Sequence, residues 1–342
     1  MATLRHIALP SWPNAPYPKF PRYAFAEALM ARLQREILDW RLLSPLTRGA
    51  PPPPTLLSFT PAPIYTFGRR QREQLPAGRE ASLLTAPLRV CSSSSSSAAA
   101  FFEPQFAHAP RGGLATYHGP GQVVLWPVVD LRSPQHANLR VREYAGLLEQ
   151  TTIAALRGAA GAWHTDPDNP GVWAGGGDWA DAERKVAALG VYLRRSVTGL
   201  GIAVNYSTPV AGAPAENPWA RIVPCGIEGR GVTSVREEER RRRRRTAKKW
   251  WQSYQVDEDR KGKKGEQEEG EGEVGDEVAM KRLADVWAKE FAKRLGAKGG
   301  VEAKRLDEVA CVSGCEDDGS YAEACEYADL IEARRPANDH RV

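Results

Sequence analysis

RGGLATYHGPGQVVLWPVVDL, Arg111 to Leu131, sets Gly112, Gly113, Gly119 and Gly121, one arginine and one histidine directly ahead of an apolar run. The apolar run predicts a buried strand. The glycines let backbone N–H groups approach a ligand closely, as a phosphate or a carbonyl oxygen requires. Their spacing fits neither a Walker loop, which ends in Gly-Lys-Ser/Thr, nor GxGxxG after a strand. A tight turn between two strands has the same composition, and a lone His118 suits a structural role as readily as a catalytic one. The stretch by itself leaves both readings open.

Upstream, FAEALMARLQREILDW places Phe25, Leu29, Leu33, Ile37 and Trp40 at helical spacing, which predicts a helix over about 23–42. GAPPPP breaks the chain, and TLLSFTPAPIYTFGRR reads as strand, turn, strand, ending at Gly68. From about 71 to 110 the pattern decays, and CSSSSSSAAA is low-complexity. Downstream, VREYAGLLEQTTIAALRGA predicts a second helix, with Tyr144, Leu147, Leu148, Thr151, Ile153 and Leu156 on one face. PGVWA reads as a strand and GGGDWADAER as a loop. KVAALGVYLRR and SVTGLGIAVNY read as a hairpin or close neighbours, and RIVPCGIEGRGVTSV as a further strand-like run with a turn.

After Val235 come six consecutive arginines, Arg240 to Arg245, and then a Gly/Glu/Lys mixture. Dense charge with little apolar surface predicts a disordered or solvated insertion. VAMKRLADVWAKEFAKRLG restores helical spacing through Val278, Leu283, Val286, Trp287, Phe291 and Leu295, with Gly296 as its stop. Beyond Gly299 no further core element is expected.

The 342 residues carry a formal charge of +5 and are 42% hydrophobic, enough for one large domain or two modest ones. That charge demands no nucleic-acid partner. Trp250, Trp251 and Tyr254 beside the arginine run are candidates for stacking on bases, but the acid-rich blocks that follow favour a solvated linker. No run of about eighteen apolar residues predicts a membrane span. The five cysteines are odd in number and widely spaced, which argues for a reducing interior rather than a disulfide framework. Cys311, Cys315 and Cys325 read as free thiols rather than metal ligands. Glu27 is the first acid, after Arg5, Lys19 and Arg22, as in a mitochondrial presequence, yet Pro10, Pro13, Pro16, Pro18 and Pro21 disfavour the amphipathic helix such a signal uses.

Two further residues carry chemistry if the fold assembles them. Cys225 in IVPCGI follows a strand-like run and precedes a glycine, which suits a nucleophile once a neighbour lowers its pKa; a small buried cysteine has the same appearance. Lys185 in ERKVAALG sits where a loop enters a strand, either solvated or set near a thiol whose charge it tunes.

RGGLATYHGPGQ, KVAALGVYLRRSVT with GIAVN, and IVPCGI followed by VTS stand in one order. Together they resemble the octanoyltransferase family of lipoate biosynthesis, also called lipoyl(octanoyl) transferase or lipoate-protein ligase B. PIYTFGRR, DNPGVWA and VWAKEFAKRLG resemble the family's upstream strand and turn, middle strand and closing helix. Trp126 departs from it, since the family more often has tyrosine there. The resemblance covers about 23–296. Residues 1–22 are then an N-terminal extension and candidate presequence, 71–110, 174–182 and 236–277 hold insertions, and 297–342 are a C-terminal tail.

The resemblance implies an α/β (α+β) fold like that of biotin and lipoate protein ligases, a mixed sheet flanked by helices. It implies transfer of an octanoyl group from octanoyl-acyl carrier protein to a lysine of lipoyl domains, those of 2-oxoacid dehydrogenase E2 subunits and the glycine cleavage H protein. Cys225 matches the family's acyl-thioester nucleophile and Lys185 its activating lysine. Arg111, Gly112, Gly113, Leu114, Ala115, Thr116, Tyr117 and His118 match the first substrate-binding stretch, Ala188, Leu189 and Gly190 the second, and Gly201, Ile202 and Ala203 the third. Val123, Leu125, Leu189 and Ile202 are candidates to line the acyl tunnel. A thioester is already activated, so no cofactor, ATP or metal is expected. Eukaryotic members are mitochondrial. An ATP-dependent lipoate or biotin ligase of the same fold is the alternative, and IVPCGI argues against it.

Overall fold

The computed structural model describes residues 2–11, 20–71, 78–90, 100–136, 138–159, 161–175, 182–223, 229–256 and 275–306. In chain order they form β1 (Leu4–Ala8), α1 (Tyr23–Leu42), β2 (Thr55–Phe59), β3 (Ile64–Phe67), α2 (Arg79–Thr85), β4 (Leu88–Val90), β5 (Ala100–Phe102), β6 (Gln105–His108), β7 (Ala115–His118) and β8 (Gln122–Val128). There follow α3 (Val141–Ala155), β9 (Trp163–Thr165), β10 (Gly171–Ala174), β11 (Arg184–Arg194), β12 (Val197–Asn205), β13 (Gly231–Val232), α4 (Val235–Val256), α5 (Asp276–Leu295) and β14 (Val301–Ala303).

A nine-stranded mixed sheet runs β14-β1-β2-β8-β12-β11-β10-β9, with β13 alongside β11. β1 lies parallel to both β14 and β2, and the ladder from β2 through β8, β12, β11, β10 to β9 is antiparallel. Strand alternation sends Val123, Leu125, Ile202 and Val204 to one face, where α3 and α5 cover them with Tyr144, Leu148, Trp287 and Phe291. Val124, Trp126, Val128 and Ala203 go to the other face, against Phe25, Leu29, Leu33 and Ile37 of α1. Leu200 breaks the alternation. Its φ of 60° is a backbone region that a leucine rarely enters, and it turns that side chain toward α1 as well. A small sheet, β6-β3-β7, stands beside this layer and holds Tyr65, Phe67 and Tyr117 in its own cluster with Trp219. Among the described residues, no helix is long and apolar enough to cross a membrane.

Several boundaries differ from the sequence reading. Residues 4–8, expected as part of an extension, are an interior strand whose Leu4 and Ile7 are fully buried. Residues 301–303, expected as tail, extend the sheet beyond them. Between 71 and 110, α2, β4, β5 and β6 occupy a stretch without clear periodicity. Ile222 and Val223 follow a 3-10 turn over Pro218–Arg221 and are not strand. On α5 the exposed Val278 and half-exposed Val286 leave the core to Leu283, Ala284, Trp287, Ala288, Phe291 and Leu295; Gly296, at φ 82°, ends the helix as expected.

Residues 236–256, expected as part of a disordered or solvated insertion, are helical. Arginine and glutamate are good helix formers, and Arg236–Glu239, Arg240–Glu237 and Arg241–Glu237 pair one turn apart at 3.1, 3.0 and 3.2 Å. The helix is tied down at its start, where Glu238 is buried against Arg184 at 3.0 Å and accepts from Thr233 Oγ1 at 2.6 Å. The segments at 12–19, 72–77, 91–99, 176–181, 224–228, 257–274 and 307–342 lie outside the described residues. All five cysteines fall in them, Cys225 included.

Candidate functional site

A cleft opens between α1, β7, and the middle of β11 and β12, enclosing about 380 Å³ including its open mouth. Arg111, Thr116 and His118 line it from the first candidate stretch, Ala188, Leu189 and Gly190 from the second, and Gly201, Ile202 and Ala203 from the third. The three motifs, up to about ninety positions apart in the chain, thus meet at one place. Tyr23, Trp126 and Leu200 complete the wall. These three were not assigned to the site from sequence. A helix-start tyrosine and a leucine in a strand carry no local signal of a ligand, and Trp126 showed only a departure from the family pattern.

The remaining candidates of the first stretch do not line the cleft. Tyr117 points into the cluster of Tyr65 and Trp219, and Ala115 belongs to that cluster. Gly112, Gly113 and Leu114 serve the Arg111 turn. The Arg111 guanidinium donates to the carbonyls of Gly112, Leu114 and Thr66 at 3.0, 2.9 and 2.8 Å, and to Thr66 Oγ1 at 2.9 Å. It therefore binds its own loop, and its aliphatic stem lies against Gly190. Gly190 leaves room for that stem, since a Cβ there would lie 2.5 Å from Arg111 Cδ. Of the expected tunnel residues, Leu189 and Ile202 line the cleft, and Val123 and Leu125 are buried in the α3–α5 core without lining it.

The later glycines of the motif make a turn. Gly121, at φ 81°, offers its carbonyl to the N–H groups of Tyr206, Ser207 and Thr208, and a Cβ on it would lie 2.5 Å from the Thr208 nitrogen. The close approach expected toward a ligand is, at this position, an approach between two segments of the chain.

His118 is buried, stacked on Tyr23 at 5.7 Å, and its Nδ1 lies 2.8 Å from Gln122 Oε1. Burial pushes its pKa down to about 4, with the Arg111 charge acting the same way and the Gln122 bond opposing it. The ring is neutral at pH 7. On α1, four residues after Tyr23, burial raises the Glu27 carboxyl to about 7.

Lys185 lies beyond the cleft on β11, three residues before Ala188. Its side chain is buried, Nζ donates to the Pro170 carbonyl at 3.0 Å, and the ammonium stands 4.5 Å from the Trp173 ring centroid. Glu149, whose carboxyl burial raises while Gly171 N–H and Lys185 lower it, holds the start of β10 through Gly171 N at 2.7 Å. Arg230 reaches the same indole at 5.0 Å and is held by Asp166 and, at 3.1 Å, by Glu183. Trp173 was read in sequence only as part of a strand. Among the described residues, no three His, Cys, Asp or Glu side chains gather as a metal site would require.

Residues 23–249 match the model of the lipoyl protein ligase A/B catalytic domain. The chain belongs to that family. Within it, a probable octanoyltransferase of Schizosaccharomyces pombe is 33% identical over 187 residues, covering 55% of this chain and 69% of that one. An octanoyltransferase of Alkaliphilus metalliredigens is 34% identical over 184 residues, 54% of this chain and 70% of that one. The mitochondrial octanoyl-acyl-carrier-protein:protein N-octanoyltransferase of Danio rerio is 34% identical over 186 residues, 54% and 67%. The lipoyl protein ligase A/B domain, as matched, starts at the first residue of α1 and ends within α4, so β1, α5 and β14 lie outside the match while sharing the same sheet and core.

Proposed function

We propose that this chain is an octanoyltransferase that moves an octanoyl group from octanoyl-acyl carrier protein to a lysine of a lipoyl domain, through a thioester on Cys225. The observation that carries the reading is a cleft, apolar over most of its wall, lined by residues of all three candidate substrate-binding stretches in a chain whose relatives are named octanoyltransferases. An eight-carbon chain suits such a wall, because each methylene buried there contributes about 0.8 kcal/mol. Acceptors are the lipoyl domains of 2-oxoacid dehydrogenase E2 subunits and the glycine cleavage H protein. The compartment is the mitochondrion, as the names of the Danio and Xenopus relatives have it for those proteins.

In the first half, neutral Lys185 takes the Cys225 thiol proton. The thiolate attacks the thioester carbonyl, a new C–S bond forms, the bond to the phosphopantetheine sulfur breaks, and Lys185 returns the proton to that leaving thiolate. In the second half the acceptor lysine amine attacks the acyl-enzyme, a C–N bond forms, the Cys225 bond breaks, and Lys185 passes the amine proton to Cys225. Burial of Lys185 supports this role, as does Arg230, five positions after Cys225, on the Trp173 ring that Lys185 also faces. No step calls for ATP or a metal.

Incubation with octanoyl-acyl carrier protein is expected to give an octanoyl adduct on Cys225 by mass spectrometry, discharged by added lipoyl domain. Lys185→Ala should slow both steps by at least about a hundredfold. Transfer at the wild-type rate by Cys225→Ala, or transfer that needs ATP and magnesium, overturns the reading.

A further inference from the structure

Behind His118 runs a row of side-chain amides whose bond directions follow from its backbone end. The Thr233 carbonyl can only accept, so the Asn205 atom facing it at 3.1 Å is Nδ2, and Asn205 Oδ1 faces Gln122. Gln122 Nε2 donates to that oxygen at 2.9 Å and to the Tyr117 carbonyl at 3.3 Å, two acceptors that fix its orientation. Gln122 Oε1 is then the atom 2.8 Å from His118 Nδ1, and it too can only accept. The single proton of the neutral ring therefore sits on Nδ1. Nε2 keeps its lone pair, on a ring that lines the cleft and whose plane Tyr23 fixes by stacking. Two residues back on β7, Thr116 also lines the cleft. Its Oγ1 is buried and has no hydrogen-bond partner among the described residues.

We propose that Gln122 and Asn205 are positioning residues that lock His118 in the Nδ1–H tautomer, so that Nε2 accepts a hydrogen bond from the amine of the incoming acceptor lysine. The inference rests on the octanoyl-transfer reading. The thioester carbonyl and sulfur carry no donor, whereas the amine that must approach the same carbon does. An Nε2 that accepts one N–H leaves the nitrogen lone pair free to attack. The opposite tautomer would turn a donor toward the amine and compete for that lone pair. The row also ties the cleft to the Lys185 strand, because Thr233 N–H donates to the Lys185 carbonyl at 2.9 Å.

Nitrogen NMR of protein labelled at histidine, read without substrate, tests the lock. His118 Nδ1 should show a pyrrole-type shift and Nε2 a pyridine-type shift. In Gln122→Met, which keeps the side chain's length, the proton should move to Nε2. Discharge of the acyl-enzyme to lipoyl domain should fall about tenfold, the size of one hydrogen bond, with adduct formation unchanged. A pyrrole-type Nε2 in the wild type overturns the lock whatever the activity. Wild-type discharge by Gln122→Met, or slowing confined to adduct formation, overturns the role toward the amine. Absence of any octanoyl transfer by the wild type removes the amine assignment together with the reading beneath it, and leaves the tautomer to be judged from the shifts alone.

Discussion

Burial shifts the pKa of His118 down and that of Glu27 up. His118 binds its proton less well folded, at about 4, than unfolded, near 6.5. Its contribution to stability is complete above 6.5 and is lost as pH falls toward 4, by roughly 3 kcal/mol in all. Glu27 binds its proton better folded, at about 7, than unfolded, near 4.5, so its contribution is complete below 4.5 and is lost as pH rises to 7. In a Glu27→Gln background, urea unfolding between pH 7 and 4 is therefore expected to show falling stability on acidification, and His118→Gln should flatten that slope. The sequence marked His118 as special but not how it is held. Gln122 and Asn205 stood in the quoted motifs with no sign that they touch, since strands β8 and β12 bring them together only in the folded sheet. Leu200 was equally illegible, because no residue type announces a left-handed leucine; the flanking Gly199 and Gly201 were the only local trace.

At the level of elements, α4 shows where periodicity misleads. Its mean composition is that of solvated chain, yet its first turn is anchored inside the protein by Glu238, paired with Arg184 and bonded to Thr233. Removing one partner of a buried pair leaves the other uncompensated. Glu238→Ala should lower the unfolding free energy by about 3 kcal/mol, whereas Arg242→Ala, on the exposed face of the same helix, should stay within about 0.5 kcal/mol. Equilibrium denaturation of both variants checks the contrast. The helices α1, α3 and α5 were legible because an apolar stripe at helical spacing survives in each. α4 lacks one, and the partner of its buried acid, Glu238, lies fifty-four positions upstream.

For the molecule as a whole, the sheet was legible in its middle and not at its edge. β8, β11 and β12 carry apolar runs that demand burial, and the last two, expected as a hairpin or close neighbours, pair as an antiparallel hairpin. The pairing of Leu4 with Val301 was not expected, because parallel neighbours so distant in the chain leave no short-range pattern. Ile7 is fully buried in that region, and Ile7→Ala should cost about 3 kcal/mol, measured as a loss in urea midpoint at unchanged slope. The same pairing sets a timetable for biosynthesis. A ribosome delivers β1 nearly three hundred residues ahead of β14, so in that interval the outer margin of β1 offers bare N–H and C=O groups to any strand that meets it. Premature termination before Val301 would make that exposure permanent, and such fragments should form intermolecular sheet even with every residue of the cleft in place.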